Sequence, residues 1–531
     1  MVAIKSFDVL PVAVPPTGFG GDARNMAQGG PTYANVVLEV ETDKPRLRGS
    51  SIIFTNGHGL REMCEFTESV AQRFLLDRQN PVRLDELHLN GNLGKLSRAW
   101  LRDSDYSWLG GAGVSRMAIG AVVNVLWDLT AKYQRLPAWR LIADMAPEDI
   151  LQFIDFEWIG DVLSPAEALG MLASAQTGKQ QRIENICELG LLAYNTVGWS
   201  GLGQNELVEQ TQRMIRDGWL QIKVKVGAGY ARARYAADNA GKILDRSQLD
   251  KLAMEAADED AERLLWVYDT IRDQDQRPVK MKVAVDSNQV FDTRSATVFI
   301  RQLAQKLYQA DPQFTLDWFE EPTSAHSALG HRYIQQQLRE SFQGFEPPLR
   351  VPISTGEQAA APVIFKDLLF GPTAAGSTSK CAIDVIQMDY SRVGGIGDNL
   401  TILLLAQKAR MEGRDIRICP HAGGLGLCEG VRHIQAIKEA LFGSTNNAGR
   451  EDILEYVAED GRSLHQGVFE NPAIVKRGYY QMPDTPGVGV DYTEDAIREY
   501  GLPMGDAWRA NDSLAKLAQR FMLIGEDFPE R

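Results

Sequence analysis

The sequence predicts an α/β protein, a barrel of parallel strand–helix units behind an N-terminal α+β domain. Two observations carry that prediction. From about residue 186, short runs rich in β-branched residues alternate with amphipathic helical stretches, the pattern of parallel βα units. In addition, Asp286, Glu320 and Glu357 each close one of three consecutive apolar runs, 34 and 37 residues apart, about one strand plus one helix each. Successive strand ends of such a barrel open into one mouth, so the three acids are expected to converge.

Composition narrows the function. At 531 residues and 44% apolar content the chain exceeds the usual single domain and can bury two cores. A net charge of -14 disfavours nucleic acid and anionic membranes as partners, since binding them rests on clustered Lys and Arg. An anionic small substrate then needs local positive charge, which two lysines and a divalent cation could supply. The five cysteines are scattered without a CxxC pair, which fits a reduced compartment, and a cytoplasmic protein is expected. Residues 1–14 lack a basic segment followed by a long apolar one, so no signal peptide is expected. No uninterrupted apolar run reaches the roughly 18 residues of a membrane span.

The elements follow in order. Ser6 to Val14, Tyr33 to Val40 and Arg48 to Ile53 read as strands, then Leu60 to Asp77 and Val114 to Lys132 as helices. Met117, Val122, Val125, Leu126 and Leu129 recur near the helical period, which marks a buried face. Residues 1–185 thus form the expected capping domain, with residues 471–531 returning onto it or onto another subunit. A barrel is expected over 186–470. Its eight strands are Glu188 to Tyr194, Gln221 to Val226, Lys282 to Val285, Leu316 to Phe319, Pro352 to Thr355, Asp384 to Met388, Arg417 to Pro420 and Ile453 to Val457. Outer helices are expected over Leu207 to Arg216, Ala296 to Tyr308, Ala361 to Leu369, Asn399 to Arg410 and Gly430 to Leu441. The 53 residues between Gly227 and Met281 are too many for a bare connection and read as an insertion at about 228–280 with two helices, Ile243 to Ala257 and Ala261 to Arg272.

Taken singly, each of the three acids could be a solvated strand end or a helix N-cap. Their serial placement points instead to an oxygen-ligand site for a hard divalent cation, of which Mg2+ suits carboxylates, waters and substrate oxygens. Glu321 is expected to face away and to take no part. Lys223 and Lys225, two apart in a strand, share one face, where mutual repulsion and burial are expected to depress their pKa values and make a usable base. Asp389 and His421 close neighbouring strands and can form a dyad in which the acid sets the imidazole tautomer. His58, His326, His331 and His433 have no comparable partner in the sequence and read as structural. A lysine and a His–Asp dyad around a cation describe proton abstraction beside a carboxylate. A positioned base contributes about 10²- to 10⁴-fold, so the cation must supply much of the rest by electrostatics.

The chain resembles the enolase superfamily, and within it the sugar-acid dehydratases of the L-fuconate and L-galactonate type. The resemblance rests on Ala193-Tyr-Asn-Thr-Val-Gly-Trp, Lys223-Val-Lys-Val-Gly, Asp286-Ser-Asn-Gln, Glu320-Glu-Pro-Thr-Ser, Ser354-Thr-Gly-Glu, Arg392-Val-Gly-Gly and Pro420-His-Ala-Gly-Gly. It implies a modified TIM barrel, (β/α)7β, under an α+β cap, with Mg2+ on Asp286, Glu320 and Glu357. It also implies roles: Lys225 abstracts the C2 proton, Lys223 assists at the carboxylate, and His421 with Asp389 protonates the departing 3-hydroxyl. Glu455 is implied to bond the substrate carboxylate. Gly21, Asp22, Tyr33, Asn288, Ala422 and Gly423 are implied to contact the substrate, an anionic sugar acid. A homo-oligomer is expected. The chain departs from the family pattern in Ser287, in Gln358 where histidine is common, and in extra residues near Gln336 to Pro348. A racemase or epimerase and a non-catalytic metal-binding scaffold are the competing readings.

Overall fold

Alternating apolar residues make β1 (Ile4–Ala13), β2 (Ala34–Thr42) and β3 (Arg48–Thr55) an antiparallel sheet in the order β1-β2-β3. The computed structural model describes residues 2–15, 21–22, 32–77, 79–109, 111–371, 381–443, 451–459, 462–463 and 467–522. The helix Val114–Gln134 is apolar nearly all round because it packs between this sheet and the barrel. A Cβ on Gly120 would lie 2.5 Å from the Val393 carbonyl oxygen, so the helix meets the barrel backbone directly. Arg116 on the same helix grips Asp398 through two bonds of 2.5 and 2.6 Å.

Eight parallel strands form the second sheet: β4 (Leu191–Val197), β5 (Gln221–Lys225), β6 (Lys282–Asp286), β7 (Leu316–Glu320), β8 (Ile353–Thr355), β9 (Val385–Ile386), β10 (Arg417–Ile418) and β11 (Leu454–Tyr456). Pairing runs in sequence order from β4 to β10, and β11 returns to pair with β4. The seam between β10 and β11 has no ladder. It is bridged by the Glu455 N–H to the Pro420 oxygen, 3.5 Å, and by Asp452, which accepts from the Ile418 N–H at 2.8 Å. Each of the first seven strands is followed by one or two helices and β11 by none before the next short strands, giving (β/α)7β.

Several expectations are corrected. The first barrel strand begins at Leu191, not Glu188, because residues to Leu189 complete a helix, Lys179–Leu189, that Gly190 ends at φ 78°. The two helices expected in the insertion are one, Arg246–Gln274, preceded by Ala228–Asn239. Asp260, in the gap between the two expected helices, is buried and paired with Arg263, and the helix runs through. The stretch read as extra residues begins inside the outer helix Ala328–Ser341. Its sparse buried apolar face, chiefly Ile334 and Leu338, hid its period.

The C-terminal segment returns to the N-terminal sheet. Its hairpin of Val475–Lys476 and Tyr479–Tyr480 pairs with the start of β4, and the buried Trp508 donates from Nε1 to the Ala13 oxygen at 2.7 Å.

Candidate active site

Parallel register builds the site. Lys225 of β5 stands beside Asp286 of β6, Asp286 beside Glu320 of β7, and Glu320 beside Ser354 of β8. Strand alternation turns Ile222 and Val224 outward to the helices and Lys223 and Lys225 inward. Oxygens of Asp286, Glu320 and Glu357 lie within 4.8 Å of one another. Asp286 and Glu320 are wholly buried, and the Glu357 side chain is 10% exposed.

The acids around these oxygens outnumber the ammonium groups that pair with them. Lys223 pairs with Glu320 at 2.5 Å, Glu455 at 2.9 Å and Asp286 at 3.5 Å, while Lys225 pairs with Asp286. Asp286, Glu320, Glu357 and Glu455 set four carboxyl groups against two ammonium groups in a buried pocket, an excess of acid. A divalent cation would offset that excess, and oxygen-only donors suit a hard ion. Burial, reinforced by Asp286, Glu455 and Glu357, pushes the Glu320 carboxyl up to about 8. Gln387 at 2.5 Å and the Trp318 indole at 3.0 Å hold its second oxygen.

The lysines behave differently from expectation. Burial and Lys223 do oppose charge on Lys225, but the neighbouring acids, Asp286 foremost with Glu357 and Asp22, together hold it protonated well above the ordinary lysine range. Lys223 is likewise raised: burial works against its charge, and Glu320 and Glu455 override it. Neutralising Asp286 with a cation removes the chief support of the Lys225 charge.

Three non-glycine residues beside the acids have left-handed backbone: Asn288 at φ 45°, Gln289 at 59° and Glu321 at 46°. Such conformations cost roughly 1–3 kcal/mol each and gather at functional sites. Here they set Asn288 in the wall of the cavity above the acids and join Gln289 to Glu321 outside that wall. Asn288 accepts from Lys225 at 2.9 Å and donates to Glu357 at 3.4 Å, and Gln289 donates to Glu321 at 2.9 Å. Burial and the neighbouring Glu357 and Asp286 push Glu321 well above the carboxylate range.

Across the mouth, His421 Nδ1 is 2.8 Å from Asp389 Oδ2, and His421 Nε2 is 3.3 Å from Glu357. Asp389 is itself fixed by the backbone N–H groups of Ser391 and Arg392, at 2.7 and 3.0 Å. Burial opposes charge on the imidazole, but Glu357, the Asp389 hydrogen bond and Glu455 hold it up at about 10. Glu455 accepts from Thr196 at 2.5 Å and from the Ala422 N–H at 2.8 Å. Burial works against its charge, yet Lys223 and His421 keep its pKa well below the usual carboxylate range.

A cavity of about 430 Å3 opens above this floor, with Lys225, Asn288, Glu357, Asp389, His421 and Glu455 in its wall. Asp22, Tyr33 and Gly423 also line it, whereas Gly21 and Ala422 do not. Gly21 instead bridges to Ser200, and Ala422 contributes its N–H to Glu455. Lys223, Asp286 and Glu320 lie beneath the cavity, wholly or almost wholly buried. Residues 23–31, between Asp22 and Tyr33, fall outside the described residues.

Sequence reasoning missed part of this wall. Trp199 lies with its ring 5.4 Å from the Lys225 ammonium, and its indole N–H is buried without a partner. His58, read as structural, is exposed on the cavity wall and meets Phe521 edge-on. The Arg392 side chain also lines the cavity, with a buried Nε that has no hydrogen-bond partner. These residues come from connecting segments, where no strand or helix period marks an inward position. The only available signal was the motif context of Trp199 and Arg392. His331 and His433 are buried and bonded to backbone.

Residues 206–496 match the family described as Enolase C-terminal domain-like. The chain is 31% identical over 519 residues to the L-galactonate dehydratase of Hypocrea jecorina, covering 96% of each chain. It is 30% identical over 497 residues to the human mitochondrial enolase superfamily member 1, covering 93% of this chain and 95% of that one. The crystal structure of that human protein superposes with a TM-score of 0.76 at 29% identity, over 96% of this chain and 98% of that one. The L-talarate/galactarate dehydratase of Salmonella typhimurium LT2, solved with Mg and L-lyxarohydroxamate, shares the fold at a TM-score of 0.59 and 20% identity, over 94% and 93% of the two chains. By the matched family and these near-full-length relatives, the chain belongs to the enolase superfamily.

Proposed function

We propose that the protein is a Mg2+-dependent sugar-acid dehydratase of the L-galactonate or L-fuconate type. It would remove the C2 proton and the 3-hydroxyl to give a 2-keto-3-deoxy acid. The observation that carries the reading is the placement of Lys225 on β5 and the His421–Asp389 pair beyond β9 and β10, with Asp286, Glu320 and Glu357 between them under one cavity. The cavity volume lies within the usual range for small-molecule sites. The relative named L-galactonate dehydratase matches almost end to end.

Asp286, Glu320 and Glu357 would hold Mg2+, which when bound supplies positive charge beside the substrate carboxylate. Lys225, which must first lose its own proton as the cation's charge offsets Asp286, takes the C2 proton at Nζ, and Asn288 and the Trp199 ring face that nitrogen. Lys223 stays charged below the floor and offsets negative charge that builds on the carboxylate as C2 loses its proton. His421, protonated at neutral pH, donates from Nε2 to the 3-hydroxyl as the C3–O bond breaks, and water leaves. The enol then ketonises. Glu455 lines the cavity beside His421, ionised by Lys223 and His421, and would bond the substrate carboxylate only as that substrate's negative charge raises its pKa and it takes a proton from solvent.

The same lysine and histidine could exchange a proton at C2 in an epimerase, so the test must separate the two. The purified protein with Mg2+ is screened against hexonates and 6-deoxyhexonates of every configuration, with semicarbazide detection. A 2-keto-3-deoxy product from L-galactonate or L-fuconate is expected. Deuterium-labelled isomers without loss of water would replace the reading with epimerisation, and silence with Mg2+ bound would leave a scaffold.

A further inference from the structure

The insertion between β5 and β6 sends a buried ion pair under the mouth of the site. Asp260 and Arg263 lie one turn apart on the Arg246–Gln274 helix, joined at 2.8 Å, and both are buried. The Arg263 guanidinium donates from Nη1 to the Lys225 carbonyl at 2.9 Å. From Nη2 it donates to the Gly198 and Trp199 carbonyls at 3.1 and 3.3 Å. Asp260 in turn accepts from the Gly227 N–H, two residues beyond Lys225, at 2.7 Å. Gly198 also accepts from the Lys225 N–H at 3.3 Å. One helix outside the barrel therefore ties together the segment that carries the lysine and the segment that carries the ring over its ammonium.

We infer that Arg263, held by Asp260, is a positioning residue that sets Lys225 and Trp199 against each other and against the substrate carbon. The inference rests on Lys225 as the base. It assigns the insertion a role that barrel closure does not require, since strands β4 and β5 already pair directly. Only arginine suits the position. Its planar fork reaches acceptors on two segments at once, whereas a lysine offers one compact ammonium. Small displacements of a reacting group from its attack geometry cost up to about 10²-fold in rate, so the fork matters to turnover more than to binding.

The test is made on the full-length protein with Mg2+. Arg263→Lys retains a partner for Asp260 and is compared with Arg263→Met for kcat, KM, deuterium exchange at C2, Mg2+ affinity and Tm. For Arg263→Lys we expect a folded protein with wild-type Mg2+ affinity and KM within about threefold. Its kcat and C2 exchange should fall together by about 10- to 100-fold. A merely structural bracket would lower Tm and leave the turnover of folded molecules unchanged. Wild-type kcat and exchange in folded Arg263→Lys, or its failure to fold, would overturn the inference. Loss of both product and exchange in the wild-type protein would instead sink the reading of Lys225 as the base, and this inference with it.

Discussion

His421 Nδ1 and Asp389 Oδ2 lie 2.8 Å apart at the ends of adjacent strands, and the two residues also form a parallel backbone bridge. The imidazole is therefore held from its backbone and its ring together, with Nε2 left toward the cavity, Glu357 and the Gly423 N–H. Glu357 and Asp389 favour the protonated ring that a proton donor needs, against the Gly423 N–H that donates to Nε2 at 3.1 Å.

Asp389→Asn should test it. Asp389 is among the groups that hold His421 up at about 10 against burial, after Glu357. Removing its charge lowers the folded-state pKa, so the basic limb of kcat should move to lower pH. At neutral pH kcat should fall by about 10²- to 10⁴-fold. A pH–rate profile from 6 to 10 checks both. The raised pKa also has a stability sign. It contributes stability fully below the unfolded value near 6.5 and loses it as pH rises through about 10. The cation-free wild type should lose that contribution over this window, and Asp389→Asn should lose less.

Cation binding should depend on pH through Glu320. Its carboxyl, pushed up to about 8 by burial and by Asp286, Glu455 and Glu357, carries a proton below that value, which an incoming cation must displace. Mg2+ affinity measured by calorimetry should strengthen as pH rises from 6 to 8. Glu320→Gln should bind weakly without that slope. EDTA should abolish turnover, and Mg2+ at one hundred times its Kd should add about 2.7 kcal/mol of stability.

Lys225→Ala should lower kcat by about 10²- to 10⁴-fold and remove C2 exchange. Because the Lys225 ammonium competes for Asp286, its loss should strengthen Mg2+ binding while activity disappears. Weaker Mg2+ binding together with lost activity would show that the lysine serves to build the cation site.

Trp508→Ala should destabilise the protein without touching the floor of the site. The indole is wholly buried on the N-terminal sheet and bonds the Ala13 carbonyl, so truncation leaves both a cavity and an unpaired carbonyl. A loss of roughly 3–5 kcal/mol is expected, read by denaturant unfolding, with Mg2+ affinity unchanged in the folded protein.

The barrel and the floor of the site were legible in the chain because both obey local rules. Strand period set which residues of Gln221–Lys225 face inward, and the ends of apolar runs marked Asp286 and Glu320. What was not legible depends on partners distant in sequence. Arg263 reads as one charge among many on an amphipathic helix until its guanidinium is seen on carbonyls 38 and 65 residues away. The lysine protonation states were misjudged for the same reason: repulsion between Lys223 and Lys225 is visible in two letters one residue apart, whereas Asp286, Glu320 and Glu455 come from three other strands. The sequence alone determined the order of the barrel strands and which of their side chains point inward, since period and run length are short-range properties of the backbone. Only the tertiary structure decided the charge balance, the reach of the insertion and the cavity wall, because Coulomb energy and hydrogen bonding follow distance in space, not along the chain.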